Sequence, residues 1–588
     1  MMKRSTLIRI SLMFLVVGMY MFVTATADQN TLVIGTTDVV GDGGLEVAQN
    51  FDFYGFHVAQ HNHEGLCTLE PSTSKVIAEL TESCDPKDVI SNNGLTYSFK
   101  VRSGVTFTDG TSLTAANVAF SFNRNLALNG DPVQTLLTDD IKDVKVTGPL
   151  TVQITMKQPD ATFLSRVAGT NAAFILSFNS LTKDKDGKDV PVDKTTGELK
   201  GTPDLDKTVE ATSTNLTGTI GTGPYVLKQY VAGQLAVFEA YSNYWGCAAS
   251  PKFKCPSVRQ IIEEHFNTSP ALSAALQDGS VDIAWRGLAI PDINALQGNA
   301  KFSRVQPPGS SSVRYINFGV GKAPYDDLRV RKAVSLAVDR DAIVSKVFGG
   351  VNKPIFSMVP AGFPGQVDVF PKRDVAAASK LLQDAGYSAS KPAEVDLWFE
   401  TSGHYGTTEP DVAAVVAASL GDVKELKVKL QPIDFPGLRK GNKNGTISFF
   451  FLGWFPDFLD PIDFIDPFIG SGTKALGIYF NDLADKGFDA LPATSTTATL
   501  LKAKNQAVNA KNVVALVNDL LTDATVKADP SVRNADLENL QRITADVVPQ
   551  IPLWGNLSQF IILTQKNIGG VVQDASLWLR DWLITKAK

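Results

Sequence analysis

The chain has 588 residues, 44% hydrophobic and 20% charged, with 55 Lys and Arg against 61 Asp and Glu. At about 150 residues per domain this length holds three or four domains, and the apolar fraction excludes a disordered or collagen-like chain. A formal charge of −6 and a pI near 5.6 lack the basic footprint of a nucleic-acid binder.

Residues 1–27 join a cationic start (Lys3, Arg4, Arg9) to an apolar stretch, Ile10 to Val23, and a small-x-small end, Ala25-Thr26-Ala27. That is the pattern of a cleavable signal peptide; a spanning helix needs about 20 apolar residues. Removing three basic residues takes the formal charge from −6 to −9. The expectation is an exported protein, periplasmic or extracytoplasmic and soluble after cleavage. Cys67, Cys84, Cys247 and Cys255 form an even set, which favours disulfides in an exported chain. Of the three possible pairings, the short loops Cys67–Cys84 and Cys247–Cys255 are expected.

Leu95 to Val101 alternates with period two, a half-buried strand, and Asp109-Gly110 makes a turn. Thr114 caps a helix that carries Val118, Ala119, Phe122 and Leu126 on one side. Thr151 to Lys157 alternates again, so this part reads as α+β. Residues 179–220 have almost no apolar periodicity and read as an exposed excursion. Gly218 to Gly223 makes a tight turn before a strand, Tyr225–Tyr230. Beyond residue 310 come a strand through Val313 and Phe318 and helices over Asp327–Val338, Asp339–Phe348 and Asp374–Ala385. The strand Val395–Phe399 and the helix Asp411–Leu420 follow. This alternation predicts an α/β lobe on a largely parallel sheet. Residues 496–534 read as helical and polar, and Ile551–Trp554 and Gln559–Leu563 as the last strands.

No phosphate cradle with its lysine, no H-E-x-x-H and no G-x-S-x-G elbow is present. His57, His61 and His63 fall within seven residues, so His61 and His63 are weak metal candidates. His57 and His61 would share a helix face, and His61 and His63 a strand face; no single regular element presents all three. The run Gly453 to Pro461 follows an apolar strand, Ile447 to Leu452, and holds aromatics and acids together. Aromatic area with a carboxylate suits a cationic or amphipathic small ligand, and a loop after a strand end is where α/β lobes place ligands.

Eight segments, taken in order, resemble the extracytoplasmic solute-binding proteins of peptide-type ABC importers, which include oligopeptide-, dipeptide- and nickel-binding members. They are Glu64-Gly65-Leu66; the block 95–124; GTGPYVLKQY (221–230) with NYWG (243–246); ALQDGSVDIAW (275–285); residues 315–344; ASKLLQDAGY (378–387); GWFPDFLDP (453–461); and VVPQIPLW (547–554). The resemblance implies an α/β, two-lobed periplasmic-binding-protein-like fold with hinge-linked lobes and an inserted α+β domain. Lobe I would comprise 28–75, 221–310 and 548–588, the insert 76–220 and lobe II 311–547. Hinge crossings would lie near 310 and 548.

By position, Asp457 matches the acid that pairs with a ligand's α-ammonium, and Trp454 an aromatic of the same pocket. Trp285 and Arg286 would face the cleft from lobe I, and His404 and Tyr405 from lobe II. The implied function is non-enzymatic capture of a small ligand, best a peptide, by a monomer without cofactor that delivers it to membrane permease subunits. Carriage of nickel, a metal chelate, haem or an oligosaccharide is the alternative on this fold. An exported hydrolase would need a constellation that these motifs do not supply.

Overall fold

A computed structural model describes residues 30–587 apart from 42, 72, 138–139, 215, 250–254, 297, 308–310, 471–479, 528, 556 and 574. The expected signal peptide, residues 1–27, lies outside the described residues.

Two large sheets organise the molecule. The first has seven strands in the order Phe302–Val305, Ile562–Gln565, Ile283–Ala284, Thr31–Thr36, Gln260–His265, Leu235–Ala240, Tyr225–Val231. Thr31–Thr36 runs parallel to both its neighbours. The second has six, in the order Lys353–Pro354, Gln550–Gly555, Val313–Phe318, Phe449–Trp454, Ala393–Glu400, Leu426–Ile433. Val313–Phe318 is buried at every position, as a central strand covered on both faces must be. It is nonetheless antiparallel to both neighbours, whereas Ala393–Glu400 is parallel to Leu426–Ile433. The lobe is therefore mixed rather than largely parallel. The helix-strand alternation sees only the crossover half; the antiparallel half is closed by Gln550–Gly555, a strand from far down the chain.

The helices start where the sequence caps them. Asp327, Asp339 and Asp374 accept from Arg329, Ala342 and Ala377 backbone N–H groups and open helices Leu328–Ala337, Arg340–Phe348 and Val375–Asp384, each satisfying a donor the helix leaves unpaired. A smaller four-stranded antiparallel sheet, Ile90–Ser91, Thr96–Lys100, Thr151–Met156 and Ile141–Gly148, packs with helix Ala115–Leu128.

The chain leaves the first sheet after Val305, enters the second at Val313, and returns between Gly555 and Ile562. Gln550–Gly555 pairs with Asn317 to Val313 of the second sheet, so the chain returns to the first sheet only after residue 555. Residues 179–220 carry many exposed positions, as expected, but the segment is anchored at its start. Arg124, 1% exposed, forks onto Glu46 through two 2.8 Å contacts and reaches Leu181 O at 2.7 Å and Thr182 Oγ1 at 2.8 Å. The segment also holds a helix, Leu205–Thr214. Its order comes from polar anchoring, which a search for apolar periodicity does not register. Gly223 fits the expected turn: its N–H donates to Asn62 O at 2.9 Å, and a Cβ there would come within 2.7 Å of His61 O.

Both short-loop disulfides are present, Cys67–Cys84 and Cys247–Cys255, with Cα separations of 6.1 and 4.4 Å. No helix among the described residues is long and apolar enough to cross a membrane.

Candidate functional site

Near the two crossings, residues carried by the second sheet approach residues packed on the first, as Phe455 approaches Phe53 and Arg286. On the second lobe, strand Phe449–Trp454 extends two residues further than its apolar run suggests, so Trp454 is the strand's last residue, opposite Val313. Its Nε1 donates to Asp463 Oδ2 at 3.2 Å, and its ring meets Phe468 edge-on at 5.5 Å. The Asp457 N–H donates to the same carboxylate oxygen at 3.1 Å. Asp463 thus fixes both the indole and the loop that carries Asp457.

The Asp457 carboxyl is different. Its Oδ2 is buried and has no hydrogen-bond partner among the described residues. Burial pushes Asp457 up to about 7, and pushes Asp463 well above the usual carboxylate range, with the neighbouring Asp457 charge adding to it. Arg533 in this corner is committed to Asp460, at 2.5 Å. Two acids therefore share a low-dielectric corner in which no cation of the described residues is paired with either, an arrangement that disfavours the charged forms until one arrives.

The adjoining wall comes from the loop after strand Ala393–Glu400. Glu400 accepts from the Ser402, Gly403 and Tyr405 backbone N–H groups. Tyr405 is 8% exposed, and its hydroxyl accepts from the Gly453 N–H at 3.0 Å. The Arg314 guanidinium lies 3.4 Å from the Tyr405 ring centroid and pairs with Glu409 at 2.6 Å. Tyr405 consequently acts as a brace between two wall segments. His404 stacks on Phe435, centroids 3.7 Å apart. It keeps accessible surface, yet crowding in the cleft, followed by the charges of Arg286, Arg314 and Arg439, pushes it down to about 3.

Across the cleft, Arg286 is 5% exposed and pairs with Asp38 at 2.8 Å. Its Nε and Nη1 have no partner. Its guanidinium lies 4.5, 5.5 and 5.2 Å from the rings of Phe53, Phe455 and Phe560. Phe455 follows strand Phe449–Trp454 of the second sheet and stands 5.8 Å from Phe53, which packs beside the first, so this cation–aromatic box joins the two sheets' surroundings. Trp285, expected beside it on the cleft face, is 0% exposed and sits in the lobe I core, 4.2 Å from the His57 ring. The turn at Arg286, with φ +55°, separates the two: Trp285 points among core groups while Arg286 joins the aromatic box.

His61 and His63 do not come together. His61 joins His57, with ring centroids 4.9 Å apart, whereas His63 stacks on Phe174 at 5.7 Å. Sequence reasoning missed Asp463, Phe53, Phe455 and Phe560. For Asp463 a signal existed, since acids recur at every third position through Asp457, Asp460 and Asp463. Phe53 and Phe560 carry none, because only the fold brings them to Arg286.

The profile of Bacterial extracellular solute-binding proteins, family 5 Middle, matches residues 75–475, more than half of the chain. Heme-binding protein A of Haemophilus influenzae is 26% identical over 442 residues, 71% of this chain and 72% of that protein. Glutathione-binding protein GsiB of Pectobacterium atrosepticum is 28% identical over 404 residues, covering 68% and 69%. The dipeptide binding protein from Pseudoalteromonas sp. SM9913, solved in complex with Met-Leu, superposes with a TM-score of 0.72 at 18% identity, covering 95% of this chain and 100% of that one. The chain belongs to the bacterial extracellular solute-binding proteins of family 5.

Proposed function

We propose that this protein is the exported, non-enzymatic receptor of an ABC importer, and that it holds a peptide between its lobes by the peptide's free α-ammonium. The observation that carries this reading is Asp457: a buried carboxylate oxygen with no partner, in a corner where burial raises the acid to about 7. A ligand ammonium would supply the missing cation and donors together, and a charge-assisted contact in a dry site gives strong orientation. Trp454 would offer aromatic area beside it, and the unpartnered N–H groups of Arg286 would meet a carbonyl or carboxylate of the same ligand. Lobe I would contain the first sheet and lobe II the second. Closure would work about the two crossings, Val305–Val313 and Gly555–Ile562, a hinge motion of the kind that traps ligands. The glutathione-binding relative and the dipeptide-bound structure support a ligand with peptide character.

Native mass spectrometry of the purified protein tests the reading. Retained peptide masses support it; a retained sugar mass overturns it. A second reading, carriage of haem or a metal chelate, is favoured by the His404 imidazole, pushed down to about 3, and by the heme-binding relative. It predicts a single metal-containing mass that is lost in His404→Ala.

A further inference from the structure

Away from the cleft, four side chains converge in the lobe I core. His57 sits in helix Phe53–Gln60 and His61 caps its end; Glu263 comes from strand Gln260–His265 and Asp581 from the C-terminal turn Asp581–Leu583. All four are at most 2% exposed, and one ligand-capable atom from each lies within 4.8 Å of all the others. His57 Nε2 is 2.9 Å from Glu263 Oε1 and 3.3 Å from Asp581 Oδ2; His61 Nε2 is 3.4 Å and 2.6 Å from the same two oxygens.

We infer that these four residues form a resident site for one divalent transition ion of the zinc class, stapling the N-terminal helix, a central strand and the C-terminus of lobe I. Two neutral imidazoles, two carboxylates and one dication sum to zero charge, which a fully buried site favours. A tetrahedral ion with bonds of about 2.0–2.2 Å sets its ligand atoms about 3.3–3.6 Å apart. Two of the four imidazole–carboxylate separations already match, and the others open by less than about 1 Å on loading.

The surrounding bonds are those a ligating shell uses. His61 Nδ1 lies 3.1 Å from His57 O; donating there leaves its Nε2 as the lone-pair nitrogen facing inward. Tyr54 donates to the outer Glu263 oxygen at 2.6 Å, holding that carboxylate in orientation. The competing arrangement is two imidazolium–carboxylate pairs without metal. It would leave a charged N–H orphaned in the core, because His57 Nδ1 has no partner, and a buried unsatisfied charged donor costs more than a neutral one.

Elemental analysis of the full-length protein, purified from zinc-supplemented cells and washed with chelator, tests this, alongside refolding with zinc, with cobalt or with neither. The expectation is about one ion per chain, visible absorption from four-coordinate cobalt, and a higher melting temperature when loaded. Glu263→Gln and Asp581→Asn should retain at least tenfold less metal, while Asp457→Asn retains it fully. If those core variants fail to fold, the wild-type stoichiometry and cobalt spectrum decide alone. Folded wild-type protein with less than about 0.1 ion per chain after both routes would overturn the site. So would metal that is lost with Asp457→Asn, since it would then sit in the cleft.

Discussion

Two buried carboxylate pairs sit in this molecule under opposite conditions. In lobe I, Glu263 and Asp581 face two imidazoles, and despite burial those neighbours hold both acids below the usual carboxylate range. At the cleft, Asp457 and Asp463 face each other and an indole N–H, and burial drives both up. With no ion bound, the first pair is met by two imidazoles of the fold at 2.6 to 3.4 Å, the cage that a dication would complete. The second has no basic group of the described residues paired with it, so it takes its nitrogen from the ligand, whereas the first has its nitrogen atoms built into the fold.

The comparison sharpens when each side is cut. Trp285 belongs with the lobe I cluster, so Trp285→Ala should cost about 3–5 kcal/mol of stability, read by denaturant unfolding. If it instead weakened ligand binding with unfolding unchanged, Trp285 would belong to the cleft. Asp457→Asn keeps the shape and removes the charge; it should weaken a free-amino peptide at least tenfold, about 1.4 kcal/mol, and leave the N-acetylated peptide's affinity unaltered.

Acid should act on the same group. An ammonium binds the ionised carboxylate, so affinity should fall as pH drops below about 7, by up to tenfold per unit, in titrations from pH 8 to 5. The sign for stability is the reverse. Because burial raises Asp457 above its unfolded value of 3.8 to about 7, its contribution to the empty protein is complete below the lower value and is lost as pH rises through the higher one. Peptide should therefore raise the melting temperature more at pH 8 than at pH 5. The smallest effect belongs to the brace: Tyr405→Phe removes the Gly453 contact and should cost about 1 kcal/mol in unfolding, with affinity changed less than by Asp457→Asn.

Much of the fold is legible in the residues because caps and alternation are local. Asp327, Asp339 and Asp374 announce their helices, and Thr96–Lys100 its strand. Long-range pairing is not local: nothing near Gln550–Gly555 says that it closes the second sheet, and nothing near 179–220 says that Arg124 anchors it. The cleft divides the same way. Asp457 and Trp454 stand out as aromatic and acid in one loop. Asp463 stands six residues past Asp457 and its part shows only in the contacts it accepts, while the meeting of Arg286 with Phe53, Phe455 and Phe560 depends on segments far apart in the chain. Trp285 and Arg286 are neighbours in sequence, yet the left-handed turn at Arg286 sends one to the core and the other to the cleft.

The most direct test is calorimetry of one short peptide, with its amino group free and acetylated, against wild type and Asp457→Asn at pH 8. The account predicts tight binding only for the free-amino peptide on wild type, with the other three combinations at least tenfold weaker. Equal affinity of the free and acetylated peptides for wild type, or an unchanged affinity in Asp457→Asn, would contradict it.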